Sequence, residues 1–411
     1  MIRVHQVLAT LGYGDAIGHE VLGIQRVLRA AGYESEIFVE AADHRLEHLT
    51  RDYRHLIDFS CPDNLLLHHF SLGSKASRTA FALPDRMALI YHNITPPEYF
   101  IGVNRKLAGQ CFRGRRELRA YRHRCDLALG DSDFNRQDLE ALGFARTAVL
   151  PVVPDFSHLD LASNPFVAQQ FDDPWTNILF VGRVISNKKI EDLIRFFHAY
   201  HTLHNPRSRL LLVGTHTGFE RYFAGLTELV AALGLSHVHF VGQVSDEELA
   251  AYYEIADLFL CASEHEGFCV PLLEAFYKEV PVVAYAATAV PSTMDGAGVL
   301  FDDKDPRHVA AIIDAVASNC RLQQEIVEGQ LAAVDRLCAK DFAATLLGFV
   351  DQILRSPRTG TRRVAFDFWD QFDAAERLED LRLFRPSVFK GLPDDGSSQL
   401  TIDKESKERP L

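Results

Sequence analysis

From Trp175 onward, short apolar runs alternate with helix-like segments at a steady interval. The runs are Asn177 to Val184, Leu210 to Gly214, Val238 to Val244, Leu258 to Ala262 and Val280 to Tyr285. Continuous apolar runs of this length bounded by turn residues read as strands buried on both faces. Strands that alternate with helices imply parallel pairing through right-handed crossovers. A similar rhythm fills the first part of the chain. Arg3 to Ala9 is a short strand, followed by a glycine loop, a helix and a second strand ending at Glu40; Leu65 to Phe70, Met87 to Tyr91 and Leu127 to Asp131 follow, the last ahead of a helix over Asp133 to Leu142. The fold class predicted is α/β, with doubly wound, Rossmann-like sheets.

At 411 residues the chain exceeds one ordinary core and fits two such domains. The break is expected in Pro154 to Pro174, which has little periodicity and contains Asn164-Pro165 and an Asp-Asp-Pro run. The expected units are 1–165, then 166–356 ending in helix near Asp341 to Leu354, then a segment over 357–390. A polar stretch at 391–411 reads as a disordered tail.

The densest candidate chemistry is Ser263 to Ala275, SEHEGFCVPLLEA. Proline is favoured in the first turn of a helix, so this reads as strand, loop, then helix from Pro271. Glu266 then lies in the loop at the strand's carboxyl end, where open α/β sheets bind ligands, and Glu274 lies one turn into the helix. The backbone N–H groups of Gly267, Phe268, Cys269, Val270 and Leu272 surround a helix N-terminus, which suits a phosphate or pyrophosphate. Carboxylates on either side fit hydroxyl groups, one of a sugar and one of a ribose. Taken alone, two glutamates at this spacing are more often solvated surface residues.

The first strand of this half runs into Gly182 and Arg183, with Lys188 five residues beyond the arginine. A guanidinium and an ammonium in one crevice neutralise a diphosphate and stabilise it as a leaving group. Gly214 in LLVGTH and Gly242 to Ser245 leave strands on the same edge, and Val244 offers an apolar wall to a nucleobase. Ser245 and Glu248 also read as a capping box.

In the first half, Gly12, Gly14 and Gly18 almost match a dinucleotide fingerprint, with a spacing, G-x-G-x-x-x-G, that is one residue too long. A nicotinamide-dependent oxidoreductase with Glu40 as ribose partner is therefore a competing reading. His92 ends a strand in ALIYHNITPPEYF, where Asn93 and the two prolines shape an acceptor entrance, and Ser132 is a candidate helix N-cap. Arg105 to Arg124 carries eight Arg or Lys residues against one Glu, Glu117. That stripe is either a solvated helix paired with acidic neighbours or a peripheral contact with an anionic membrane.

The formal charge of −13 argues against nucleic acid as a general partner. Seven scattered cysteines without a C-x-x-C pair, and no signal-peptide pattern over Met1 to Leu11, fit a reducing cytoplasm. No run approaches the ~18 to 20 apolar residues of a membrane span. His and Asp are dispersed, with no tight set of metal ligands, so no metal site and no cofactor are expected.

GRVISNKK, EHEGFCVPLLEA and the order of strands resemble the family-4 retaining glycosyltransferases. The resemblance implies the GT-B fold, two Rossmann-like domains facing across a cleft, with a helix in the 357–390 region crossing back to the first. It implies that Arg183 and Lys188 hold the donor diphosphate, Glu266 contacts the transferred sugar and Glu274 holds the ribose. Gly14, Asp15 and Gly18 would face the donor from the other side of the cleft, with His92 near the sugar. Lys189 and Cys269 stand where the family often has glycine.

The expected activity is transfer of a hexose, mannose or a similar sugar, from a nucleoside diphosphate sugar to a glycan or lipid-linked hydroxyl. Retention of configuration and independence of metal come with the resemblance. A nucleotide-sugar epimerase of the same architecture, the oxidoreductase and a non-catalytic sugar-nucleotide binder are the alternatives.

Overall fold

The computed structural model describes residues 2–14, 16–152, 155–171, 173–358, 377 and 381–391. Asp15, most of the 357–390 segment and the tail beyond Gly391 lie outside the described residues.

Two parallel sheets form the molecule. The first contains β1 (Val4–Leu11), β2 (Ile37–Ala42), β3 (Thr50–Asp52), β4 (Leu65–Phe70), β5 (Arg86–Tyr91), β6 (Leu127–Gly130) and β7 (Thr147–Val149), in the order β3-β2-β1-β4-β5-β6-β7. The second contains β8 (Thr176–Val181), β9 (Ser208–Val213), β10 (Val238–Gly242), β11 (Leu258–Cys261), β12 (Val282–Tyr285) and β13 (Val299–Phe301), in the order β10-β9-β8-β11-β12-β13. In each sheet the winding reverses once, between β1 and β4 and between β8 and β11. Loops leave these neighbouring strands in opposite directions and open a crevice at their carboxyl ends.

The predicted strands are present, with ends within about three residues of those of the apolar runs. Three further strands, β3, β7 and β13, escaped the pattern. Each is three residues long, lies at a sheet edge and is only partly buried, so no continuous apolar run marks it. Central strands are wholly buried: β4, β5 and β9 have no exposed position. Helices cover both faces of each sheet, which gives separate apolar clusters on the two sides.

The chain returns to the first sheet earlier than the 357–390 region. Helix Phe342–Arg355 carries Leu346, Val350 and Ile353 on one stripe, and these pack with Val4, Ile24, Leu28 and Leu65 of the first half. Arg86 fixes its end: Nη1 donates to the carbonyls of Leu354 at 3.3 Å and Ser356 at 2.9 Å, while Nη2 pairs with Asp126 at 2.8 Å. The apolar stripe of this helix thus has its complement on the first sheet.

The basic segment forms helix Arg105–Tyr121. Some of its charge serves the fold: Arg115 Nε donates to the Ile94 carbonyl at 3.1 Å, and buried Arg124 holds the carbonyls of Phe81, Leu83 and Asp85. No helix among the described residues is long and apolar enough to cross a membrane.

Candidate active site

Lys188 follows β8 and Glu266 follows β11, and these strands are neighbours at the point of reversal. The topology therefore brings together two side chains 78 residues apart: Lys188 Nζ lies 2.5 Å from Glu266 Oε1. Both are largely enclosed, with side chains 17% and 7% exposed. Burial opposes the Lys188 charge, but the Glu266 carboxylate and nearby thiols outweigh it and hold the ammonium pKa above its ordinary value. The cation is secure at any physiological pH.

Several residues that the sequence did not single out support the Glu266 loop. Asn187 Nδ2 donates to the His265 carbonyl at 3.0 Å, and the Asn187 carbonyl accepts from the Glu264 N–H at 2.9 Å. The Glu266 N–H donates to Thr288 Oγ1 at 2.8 Å. Asn187 stands inside the SNKK motif, and only its neighbours' charge drew notice. Lys304 Nζ adds a bridge to Glu264 at 2.9 Å and to Asp192 at 2.9 Å.

The helix after this loop starts at Val270, one residue before the expected Pro271, and runs to Tyr277. Cys269, which caps it, has φ 75°, and Lys189, which caps the helix Ile190–Leu203, has φ 52°. Both are left-handed, a conformation that glycine adopts without steric cost. Phe268 packs against the core, with its carbonyl accepting from Thr293 Oγ1 at 2.5 Å. The Leu272 side chain is fully buried, and its N–H is spent on the Cys269 carbonyl, so Leu272 shapes the turn from within.

Glu274 is 8% exposed and held at both oxygens. Tyr253 donates its hydroxyl to Oε2 at 2.8 Å, and His158 Nε2 meets Oε1 at 3.2 Å. The Glu274 hydrogen bond raises the His158 pKa against the opposing effect of burial. A histidine with a raised folded pKa gives stability that is fully present below the unfolded value near 6.5 and is lost as pH rises through the folded one. A His158→Asn variant should therefore be less stable than the parent chain at about pH 5.5, with the gap closing by about pH 9. Urea titrations at both pH values measure it.

The strand exits on the far side are laced through glycines. The N–H of Gly182 reaches the Val213 carbonyl at 2.9 Å, and that of Gly214 reaches the Gly242 carbonyl at 2.8 Å. Gly182 and Gly214 have φ of 150° and 141°, and a Cβ on Gly214 would stand 2.0 Å from the Gly182 oxygen. Arg183 projects from this junction, exposed, with its guanidinium carbon 5.8 Å from the Phe219 ring centre. Val244 packs on the core beside the Gly242 turn, and Ser245 with Glu248 forms a reciprocal capping box.

Across the crevice the two halves touch. Ser132 caps the helix Asp133–Ala141 by accepting from the Asn135 N–H, and its hydroxyl also donates to the Gly267 carbonyl at 2.9 Å. His265 Nε2 lies 2.9 Å from Asn93 Oδ1, and burial lowers its pKa to about 4, so it bridges the halves as a neutral ring. A Cβ on Gly267 would stand 2.9 Å from the His92 carbonyl, so only glycine permits this approach. Gly14 is left-handed with open space around it, and Gly18 is buried in the helix Ala16–Ala30.

His92, expected beside a sugar, has a buried side chain. Its side chain is 2% exposed, with Nε2 2.9 Å from His69 Nδ1 and Nδ1 2.9 Å from Asp131 Oδ2. The ring belongs to a buried polar network, while the peptide carbonyl faces Gly267 of the second half. The dispersion of possible metal ligands in sequence also gives way in the fold. Two groups of three converge among the described residues: Cys261, Glu266 and Cys269, and Glu20, His92 and Asp131. Glu40, the ribose partner of the oxidoreductase reading, instead accepts from the Ala76 N–H at the start of helix Lys75–Ala82.

Residues 166–330 match the family model described as glycosyl transferases group 1. O-antigen chain mannosyltransferase B of Escherichia coli is 29% identical over 148 residues, 36% of this chain and 38% of the relative. Mannosylfructose-phosphate synthase of Agrobacterium fabrum is 30% identical over 182 residues, 42% of this chain and 40% of the relative. The matched stretches thus span about two fifths of these relatives. The solved structure of Anabaena HepE in complex with UDP-glucose superposes with a TM-score of 0.68 at 16% identity, covering 86% of this chain and all of that one. Residues 166–330 are thus similar to the glycosyl transferases of group 1, and the two-sheet molecule around them has the GT-B fold.

Proposed function

We propose that this protein transfers a hexose from a nucleoside diphosphate sugar to a hydroxyl of a glycan or lipid-linked acceptor, with retention of anomeric configuration. The observation that carries the proposal is the meeting of Lys188 and Glu266 beside the N-terminus of helix Val270–Tyr277, at the reversal between β8 and β11. A diphosphate placed there receives the helix N–H groups and the ammonium of Lys188, with Arg183 reaching in from the neighbouring exit. In this reading Glu266 accepts from a sugar hydroxyl and Glu274 from a ribose.

Neutralisation by these two cations makes a metal ion unnecessary for donor binding, and no cofactor enters the scheme. Charge develops on the departing phosphate in the transition state, and Lys188 and Arg183 stabilise it there more than in the bound donor. Retention follows from a same-face displacement in which that phosphate takes the acceptor proton. Mannose is favoured because two relatives are named for mannosyl chemistry. The acceptor half carries the basic helix Arg105–Tyr121, which supports an anionic, lipid-linked acceptor reached at the cytoplasmic face of a membrane.

The test is a thermal-shift series with UDP-, GDP- and ADP-sugars. A donor at about 100 times its dissociation constant stabilises the chain by roughly 2.7 kcal/mol. Proton NMR of the product then reads the anomeric configuration. A chain that none of these donors stabilises, or a product of inverted configuration, defeats the proposal.

A further inference from the structure

Glu20, His92 and Asp131 reach one point from three separate elements: helix Ala16–Ala30 and the segments that leave β5 and β6. One ligand atom of each lies within 4.8 Å of the other two. His92 Nδ1 is 2.9 Å from Asp131 Oδ2 and 3.6 Å from Glu20 Oε2, and the three side chains are between 2% and 7% exposed. Among the described residues the second oxygen of each carboxylate, Glu20 Oε1 and Asp131 Oδ1, has no hydrogen-bond partner. Buried carboxylate oxygens without partners are costly unless a positive centre serves them.

The proton positions follow from the network behind His92. Gln6 Nε2 donates to the Val21 carbonyl at 3.0 Å, which leaves Gln6 Oε1 as the atom 2.9 Å from His69 Nε2. An amide oxygen only accepts, so His69 carries its proton on Nε2 and presents a lone pair at Nδ1. That lone pair accepts from His92 Nε2, 2.9 Å away. A neutral His92 then turns its Nδ1 lone pair toward the two carboxylates. A proton on Nδ1 would satisfy Asp131 Oδ2 and leave the remaining oxygens unserved.

A divalent ion serves all three groups. At about 2.1 Å from each ligand, adjacent donor atoms stand roughly 3.0 to 3.4 Å apart in octahedral or tetrahedral arrangement, close to the 2.9 and 3.6 Å found here. The run from His92 through His69 to Gln6 supplies the outer hydrogen bond that orients a metal-bound imidazole. One nitrogen and two carboxylates suit a borderline transition ion. Glu20 also lines a cavity of about 500 Å³ with His19, Arg26 and Asp155.

We propose that Glu20, His92 and Asp131 bind one divalent transition-metal ion of the zinc class. The ion would tie helix Ala16–Ala30 to the ends of β5 and β6, beneath the glycine loop. This site is separate from the cations assigned to the donor, so either assignment can fail without the other.

The test uses the purified full-length chain, stripped with a chelator and titrated with Zn²⁺ or with Co²⁺ as a spectroscopic probe. About one equivalent should remain after desalting, with visible ligand-field bands for Co²⁺ and a melting temperature that rises with metal and falls again with chelator. Glu20→Gln and Asp131→Asn should each weaken binding roughly tenfold or more, and Cys269→Ser should leave it intact. If the carboxylate variants do not fold, the parent chain decides by its stoichiometry and melting shift. Less than a tenth of an equivalent with no melting shift, or binding that is lost in Cys269→Ser and kept in Glu20→Gln, overturns the proposal.

Discussion

Replacing Lys188 with alanine is expected to lower kcat/KM for sugar transfer by about three orders of magnitude. The ammonium is enclosed against Glu266 and held cationic, so its loss removes a fixed positive charge from the place where the leaving phosphate gains negative charge. The variant also leaves Glu266 buried without its partner, which costs roughly 3 to 5 kcal/mol and lowers the melting temperature. Glu266→Gln separates the two effects. It keeps the shape of the side chain and one hydrogen-bonding oxygen, so stability should fall less while turnover still collapses. Initial rates at saturating donor, read beside melting curves, distinguish catalytic loss from unfolding. Parent-like rates in both variants would sink the site assignment.

The second large effect is expected at Gly214. A Cβ there would sit 2.0 Å from the Gly182 oxygen and 2.7 Å from the Gly182 carbonyl carbon, and φ is 141°. No rotamer relieves a clash with backbone, so Gly214→Ala must push β8 and β9 apart at their exits, at a cost of about 3 kcal/mol or more. Because Gly182 precedes Arg183, the same displacement moves the guanidinium and weakens nucleoside diphosphate binding. Gly225 is the control: it lies within the helix Glu220–Ala232 with open space around it, and alanine there should stabilise by about 0.5 to 1 kcal/mol. Urea midpoints that move in the same direction for both variants would refute the argument.

The second sheet was legible because its central strands are buried on both faces and leave continuous apolar runs. Its edge strand β13 was not, since a half-exposed strand of three residues leaves no such run. The meeting of Lys188 and Glu266 could be read for a related reason: with Glu274 they lie in short motifs whose strand and helix context fixes their location. His92 shows the opposite case. The network around it, Gln6, Glu20, His69 and Asp131, comes from four segments, 23 to 86 residues from it along the chain, and only the folded arrangement brings them together. Cys269 and Lys189 are intermediate. The substitution of a position often held by glycine is visible in sequence, and its left-handed backbone is what gives it meaning.

The helix Phe342–Arg355 has a practical consequence for anyone who wants to recombine these proteins. It is translated after the second sheet yet completes the wall of the first, with Arg86 clamping its end. Neither half is a portable cassette: a gene fragment stopping at residue 165 would encode a sheet with a bare greasy flank. A chimaera that grafts a foreign first half onto this second half must bring that half's own returning helix with it.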